Sequence, residues 1–299
     1  MPSASVLPTR GEPLRRVLST YRFGHADPTT QLGASDFWRA TFTPDGPGTL
    51  HLDWSTGHLR QAAYGDGADW LLTRVPALTG TLDPGHAFES GHPRLLTAQR
   101  LAPAVTFGAS STLYHELLPV ILGQRITAQE AVRQWHRLVR RLGQPAPGPH
   151  PTLRLPPTAP DLAGRPAWWF HPLGIETRRA DALREVARRE VQLHEWAQLS
   201  PHEAATRLRS LPGIGQWTIG SALATAFGDP DALAVGDYHL KNAIVFALTG
   251  RARGTDEEML DLLEPYTGQR GRAARLLLAV SPRPPKFGPR QRVLPMSRW

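Results

Sequence analysis

The chain has 299 residues, of which 40% are hydrophobic and 20% charged, and its formal net charge is +8 at pH 7. This length holds one large domain or two ordinary ones, and no stretch is long and apolar enough to predict a membrane span. The sequence contains no cysteine, which excludes disulfides, thiolate zinc sites, iron–sulfur clusters and cysteine nucleophiles. The positive charge favours an anionic partner such as nucleic acid, although an Arg- and Pro-rich composition can also reflect only a GC-rich genome.

The first hundred residues have the pattern of a small α+β unit. Residues 1–14 lack the apolar core of a secretory signal and predict a flexible N-terminus. Between residues 15 and 64, the segments FWRATF, TLHLDW and HLRQAAY cluster β-forming residues between turns. A helix is predicted over residues 68–78, because its apolar residues recur at helical spacing. We therefore expect an α+β N-terminal domain over residues 15–100.

From Pro93 onward the pattern is helical. An apolar-periodic helix is predicted over residues 112–125, and Thr127 with Glu130 three residues later predicts a capping box that starts the next helix. Residues 144–160 contain too much proline for regular structure and predict a surface loop. The aromatic run at residues 168–170 favours packing between helices over base stacking.

A glycine turn follows two amphipathic segments, at residues 177–189 and 191–196, and a helix over residues 201–210. The turn is Leu-Pro-Gly-Ile-Gly at residues 211–215, and it opens onto an apolar helix over residues 217–227. Alternating glycines let the backbone approach a ligand, and the first N–H groups of a helix have no internal partner, so the turn is suited to a phosphate. Asp237 starts another predicted helix over residues 238–248. Two last helices, over residues 256–264 and 272–280, precede a basic, Pro-rich tail at residues 282–299.

This hairpin, followed about twenty residues later by Asp237 and one helical turn further by Lys241, resembles the helix–hairpin–helix DNA glycosylase superfamily. The segment Ile-Leu-Gly-Gln at residues 121–124, with Ile-Thr at 126–127, is similar to the signature of the bacterial 3-methyladenine DNA glycosylase II branch. The resemblance covers nearly all of residues 15–280. It implies a mainly α fold, with a helix–hairpin–helix glycosylase domain of two helical subdomains at residues 101–281 behind the α+β domain.

The resemblance implies a catalytic role for Asp237. An ionised carboxylate beside the sugar stabilises the positive charge that develops as the base leaves. Asp is also a favoured helix N-cap, and the two roles are compatible. Members of the superfamily that also cut the DNA backbone carry a lysine two residues after the second hairpin glycine, where this chain has Trp217. The implied enzyme is therefore monofunctional and releases the base with water, leaving an abasic site.

The resemblance also implies a base pocket and a set of DNA contacts. Trp217 and Tyr238 match aromatic pocket positions, and aromatic faces attract positively charged alkylated bases. Ser221 and Leu278 stand at two further pocket positions that can be aromatic in the relatives. The implied DNA contacts are Gly213, Ile214, Gly215, Gln216, Gln124, Arg125 and Lys241. Gln124 and Arg125 match the site that fills the gap left by the base, where relatives often carry an apolar wedge.

No cofactor is expected apart from a Na⁺ or K⁺ ion that the resemblance places at the carbonyls of the hairpin, residues 211–216. We expect a monomer in the cytoplasm, associated with the nucleoid, that binds double-stranded DNA containing damaged bases and no membrane. The predicted activity is the excision of alkylated bases in base excision repair. The alternative is a non-catalytic protein that binds damaged DNA through the hairpin and uses Asp237 only as a helix cap.

Overall fold

The computed structural model describes residues 7–8, 11–85, 91–102 and 105–285. An antiparallel sheet of five strands lies near the N-terminus, in the order β1-β5-β4-β3-β2. The elements of this unit are β1 (Leu7–Pro8), α1 (Gly11–Leu18), β2 (Thr30–Leu32), β3 (Asp36–Thr43), β4 (Gly46–Asp53), β5 (His58–Tyr64) and α2 (Ala68–Leu78). The α+β unit predicted from the β-forming segments is therefore confirmed.

One face of the sheet packs on the two helices of this unit. Strands β3 and β4 pair from Asp36 with Asp53 to Thr43 with Gly46, so their alternate side chains share a face. Phe37, Leu50 and Leu52 on that face are buried with apolar side chains of α1 and α2. The alternation of apolar and polar residues in these strands reflects this one-sided burial.

The opposite face of the sheet is covered by the Pro-rich segment at residues 144–155. Leu153 and Leu155 of this segment are buried against Ala40 of β3. On the same face Trp38 stacks on His51, with ring centroids 3.7 Å apart. The segment is a loop, as its proline content predicts, and it serves as the second cover of the sheet.

The rest of the described chain is mainly helical. The helices are α3 (Pro93–Leu101), α4 (Leu113–Leu122), α5 (Ala128–Leu142), α6 (Ala159–Ala163), α7 (Thr177–Arg188), α8 (Glu190–Trp196), α9 (Pro201–Arg209), α10 (Gln216–Ala226), α11 (Tyr238–Thr249), α12 (Asp256–Leu263) and α13 (Arg270–Val280). Apolar side chains of α4 to α10 form a central core. A C-terminal core joins α11, α12 and α13 with α3. These two cores agree with the two helical subdomains that were predicted.

Helix α3 packs against α13, which is distant from it in the sequence. Its residues Leu95 and Ala98 are fully buried among side chains of α13, including Ala273 and Leu277. All of this helix except Leu101 comes before residue 101, where we predicted the start of the helical domain. The C-terminal core is therefore assembled from two distant parts of the sequence.

A buried polar network joins the sheet to α4. Arg39 of β3 donates from Nη2 to Glu116 Oε1 at 2.5 Å, and both side chains are less than a tenth exposed. The neighbouring His115 lies within hydrogen-bond distance of the hydroxyls of Thr29 and Thr41, at 3.2 and 3.1 Å. Burial, with the nearby Arg39 charge, holds the pKa of His115 well below its usual value. The imidazole is therefore neutral and acts as a hydrogen-bonding link between the two units.

Several local expectations are corrected by the structure. Helix α1 begins at Gly11, so the expected flexibility of residues 1–14 is wrong for residues 11–14. Thr127 caps α5 by accepting from the Glu130 N–H, but the Glu130 carboxylate accepts from Gln134 instead of completing a capping box. In the aromatic run at residues 168–170, Phe170 is fully buried whereas Trp168 is 68% exposed.

The basic tail predicted at residues 282–299 lies outside the described residues from residue 286 onward. Within the described part of the chain, no helix combines the length and the apolar character needed to cross a bilayer.

Candidate active site

A cleft of about 1030 Å³ opens between the central helices and the start of α11. Its wall comes from the α4–α5 junction, the first turn of α7, the hairpin with α10, and residues 235–239. Most of the residues predicted to form the site line this one cleft: Gln124, Arg125, Gly213, Ile214, Gly215, Gln216, Trp217, Ser221, Asp237 and Tyr238. Residues that are more than a hundred positions apart in the sequence are thus brought together.

The hairpin between α9 and α10 has the geometry that its glycines predict. Gly213 has φ +81°, a left-handed conformation, and a Cβ there would lie 2.9 Å from the Cβ of Ala182 on α7. Ile214 is buried, and its N–H donates to the Leu211 carbonyl at 3.1 Å. Gly215 is exposed, and a Cβ there would meet no atom within 4 Å. The hairpin is therefore anchored by Gly213 and Ile214 and leaves the backbone at Gly215 open.

Gln124 and Arg125 differ in what they contact. The Gln124 amide donates from Nε2 to the Gly213 carbonyl and to Thr218 Oγ1, both at 2.9 Å. It therefore ties the end of α4 to the hairpin. Arg125 is exposed at the cleft, and its φ is +58°, which is uncommon for a residue with a side chain. Helix α4 ends at Leu122, earlier than predicted, and leaves both residues in the turn that faces the cleft.

Asp237 lies at the N-terminus of α11 and is half-buried in the cleft. Its Oδ1 accepts from the N–H groups of His239 and Leu240 at 2.7 and 2.9 Å, so it is the N-cap of the helix. Its Oδ2 accepts from the indole N–H of Trp217 at 3.3 Å. The carboxylate therefore lies at the positive end of the helix dipole. Capping fixes one oxygen and leaves the second beside the Trp217 ring.

The aromatic wall of the cleft is incomplete. Trp217 packs on Gly123, where a Cβ would lie 3.2 Å from the indole. Tyr238 is 60% exposed at the other side of Asp237. Ser221 also lines the cleft, and its hydroxyl donates to the Trp217 carbonyl at 2.7 Å. The Ser221 hydroxyl hydrogen is therefore engaged within α10, and its side chain is much smaller than an aromatic ring at this position would be.

Two predicted site residues do not line the cleft. Leu278 is 48% exposed on α13, next to Leu277, which is buried in the C-terminal core. The orientation of α13 that buries Leu277 places Leu278 at the surface, so Leu278 does not line the cleft.

Lys241, which was expected to contact DNA, is the second residue outside the cleft, and it pairs with Asp256. Its Nζ donates to Asp256 Oδ2 at 2.7 Å. Burial raises the pKa of Asp256, but the hydrogen bonds from Lys241 and from the Gly236 N–H outweigh it and leave that pKa below its usual value. The charge of Lys241 is therefore balanced by a neighbouring helix.

Other residues of the cleft were not predicted. Arg178 at the first turn of α7, His239 and Thr218 all line it. His239 could have been predicted from the sequence, because it lies only two residues after Asp237. Arg178 carries no such signal, because its place in the cleft depends on how α7 packs against the hairpin.

Solved DNA glycosylases share this architecture. The 3-methyladenine DNA-glycosylase from Archaeoglobus fulgidus aligns with a TM-score of 0.73 and 18% identity, over 88% of this chain and 93% of that one. The 8-oxoguanine glycosylase/lyase from Clostridium acetobutylicum aligns with a TM-score of 0.62 and 13% identity, over 86% and 89%. The Schizosaccharomyces pombe 3-methyladenine DNA glycosylase, solved with abasic DNA, gives 0.51 and 18%, over 66% and 94%.

Neither a protein-family model nor a curated protein matches the sequence. At these low identities the structural likeness defines the fold, which is the helix–hairpin–helix DNA glycosylase fold with an added N-terminal sheet.

Proposed function

We propose that this protein is a monofunctional DNA glycosylase that excises alkylated bases from double-stranded DNA and leaves an abasic site. The observation that carries the proposal is that the Asp237 carboxylate lies in the cleft that the hairpin, Trp217 and Tyr238 also line, and accepts a hydrogen bond from Trp217. The shared fold supports the same class of protein, since its solved neighbours are DNA glycosylases.

In the proposed reaction the damaged base rotates out of the duplex into the cleft, which requires a few kcal/mol of unpairing and unstacking. The bond between C1′ and the base nitrogen then breaks, and its electron pair leaves with the base. Positive charge develops on the sugar, and the ionised Asp237 stabilises it. Water adds to C1′ and loses a proton, which completes the hydrolysis.

The base would bind beside Trp217 and Tyr238. Purines alkylated at N3 or N7, such as 3-methyladenine and 7-methylguanine, carry positive charge in DNA, and electron-rich aromatic faces attract a cation within about 6 Å of the ring centroid. The small Ser221 leaves room beside these rings. The preference for alkylated bases rests on this aromatic character.

The hairpin has no lysine that could form a Schiff base with the sugar, which supports a monofunctional reaction. The sequence has two lysines, Lys241 and Lys286. Lys241 is paired with Asp256, and Lys286 lies outside the described residues. A lyase reaction needs an amine that forms a Schiff base with the sugar, and Trp217 holds the position where the hairpin lysine of a lyase would stand.

A monovalent cation at the hairpin remains a proposal. Carbonyl oxygens are suitable ligands for hard cations, and the hairpin offers several. At least three of them already accept hydrogen bonds, since Leu211 accepts from Ile214, Gly213 from Gln124 and Gly215 from Ile219. An ion would share these oxygens or use the other carbonyls of residues 211–216.

The activity is tested by incubating methylated duplex DNA with the wild type and with Asp237→Asn, followed by alkali to reveal abasic sites. Asn is as good an N-cap as Asp, so the variant keeps its fold while losing the charge. We expect the rate to fall by about 10²-fold or more, in line with other losses of transition-state electrostatics. Asp261→Asn, an exposed carboxylate on α12, is the matched control and keeps full activity.

Two results would contradict the proposal. If the wild type releases no base from any alkylated duplex while still binding it, the protein is a non-catalytic binder of damaged DNA. If borohydride traps a covalent complex with abasic DNA, or the strand is cut without alkali, the monofunctional chemistry is wrong.

A further inference from the structure

The arginines of α7 and its C-terminus differ in their ion pairing. Four of them lie within salt-bridge distance of a carboxylate: Arg179 with Glu176 at 3.4 Å, Arg184 with Asp181 at 2.9 Å, and both Arg188 and Arg189 with Glu185 at 3.3 Å. Arg178 has no carboxylate partner among the residues that the structure describes. Asp181, three residues further on and within reach of a helical neighbour, is paired with Arg184 instead.

Arg178 is exposed and lies beside the hairpin. It precedes Ala182 by one helical turn, so the two side chains share a face of α7. Ala182 is the residue against which Gly213 packs. Arg178 and Gly213 both line the main cleft, and both also line an adjoining depression of about 330 Å³. The contact between the hairpin and α7 thus places Arg178 at the border of the cleft.

Lys241 and Arg178 differ in their ion pairing and in their position relative to the cleft. Lys241 was the basic residue expected to contact the DNA backbone, but its charge is balanced by Asp256 at 2.7 Å, and it does not line the cleft. Arg178 has the opposite properties, since it is unpaired, exposed and at the cleft. A guanidinium also binds phosphate through two parallel N–H groups, which an ammonium group cannot do.

We propose that Arg178 binds a phosphodiester of double-stranded DNA beside the hairpin, in the role that the sequence suggested for Lys241. The proposal rests on the proposed function in that it takes duplex DNA as the ligand of the cleft. Phosphate contacts of this kind position the duplex and carry no sequence information.

The test measures the salt dependence of binding, and it needs no base excision. A fluorescent duplex with a stable abasic-site analogue is titrated with protein, and the affinity is followed by anisotropy between about 50 and 200 mM salt. Each phosphate contact contributes about 0.9 to the slope of log affinity against log salt. The slope is negative, and Arg178→Ala should reduce its magnitude by about 0.9. The affinity ratio of wild type to variant should therefore be about 3.5-fold greater at about 50 mM salt than at about 200 mM.

Three matched variants complete the experiment. Arg178→Lys keeps the charge and should restore most of the slope. Arg189→Ala removes an exposed arginine that lines neither cavity, and Glu185 keeps Arg188 as a partner, so its slope should equal that of the wild type. Lys241→Gln should also leave the slope unchanged.

The outcomes separate this inference from the proposed function. A wild-type slope in Arg178→Ala, or a slope reduced equally in Lys241→Gln, would overturn the assignment of Arg178. Failure of the wild type to bind the duplex at all would overturn both proposals. A reduced slope in Arg178→Ala together with no base release by the wild type would support the Arg178 contact and remove the catalytic proposal alone.

Discussion

The ion pair between Arg39 and Glu116 should be a major determinant of stability, because it is a charged, buried link between the sheet and the central helices. The two side chains are 3% and 8% exposed. Arg39 also donates to the Tyr21 carbonyl at 3.0 Å and to Thr30 Oγ1 at 3.1 Å. In Glu116→Ala these neutral acceptors stay in place, but the guanidinium loses the carboxylate with which it forms its ion pair.

The magnitude follows from the burial of the charge that remains. Removing one partner of a buried ion pair destabilises by about 3–5 kcal/mol, since an uncompensated charge is left in the interior. Each kcal/mol lowers Tm by roughly 2–4 °C in a domain of about 150–250 residues. We therefore expect Glu116→Ala to lower Tm by roughly 6–20 °C.

The assay is thermal unfolding followed by circular dichroism at neutral pH. Arg251→Ala is the control, because Arg251 and Glu258 form an ion pair whose side chains are 57% and 35% exposed. An exposed pair contributes at most about 1 kcal/mol. The double variant Arg39→Met with Glu116→Leu should be more stable than Glu116→Ala, since it leaves no unpaired charge. A loss in Glu116→Ala no larger than that in Arg251→Ala would refute this reasoning.

Two further predictions concern the hairpin and the Lys241–Asp256 pair. Gly213→Ala should destabilise the protein by about 1–2 kcal/mol and weaken DNA binding, because φ is +81° and the new Cβ meets Ala182. Gly215→Ala should change the free energy of unfolding by no more than about 0.5 kcal/mol and weaken DNA binding only, since its Cβ meets no protein atom; equal losses of Tm in the two variants would contradict this. The pKa of Asp256 is lowered in the folded state, so its contribution is present above the ordinary Asp pKa of about 3.9 and is lost as the pH falls through the folded value. Asp256→Asn should therefore lower Tm at neutral pH, and the difference from the wild type should disappear in acid; a difference that persists below both pKa values would contradict the linkage.

Much of the architecture could be predicted because it depends on local signals. The helix over residues 68–78 was predicted with its observed bounds, since its apolar spacing is unambiguous. The hairpin and the cap at Asp237 follow from glycine conformations and N-cap chemistry, which are properties of a few adjacent residues. Local chemistry of this kind needs no knowledge of the packing.

The rest depends on how elements pack, which a pattern within one element does not contain. The periodicity of α13 identifies a buried face, but not that Leu278 lies outside the cleft. The partner of Lys241 lies 15 residues away on the next helix. Arg178 reaches the cleft through the contact between α7 and the hairpin, and that contact is set by the central core.

The location of α3 has a consequence for the order in which the chain folds. Arg272 of α13 donates to the Val105 carbonyl and to Asp83 Oδ1, contacts that span 167 and 189 positions of sequence. The sheet and the central core can form while the C-terminal helices are still being synthesised, since domains fold as units from the N-terminus. Helix α3 then exposes Leu95 and Ala98 until α13 leaves the ribosome. Closing so long a loop is slow, and the interval leaves the apolar face of α3 available for association with other chains.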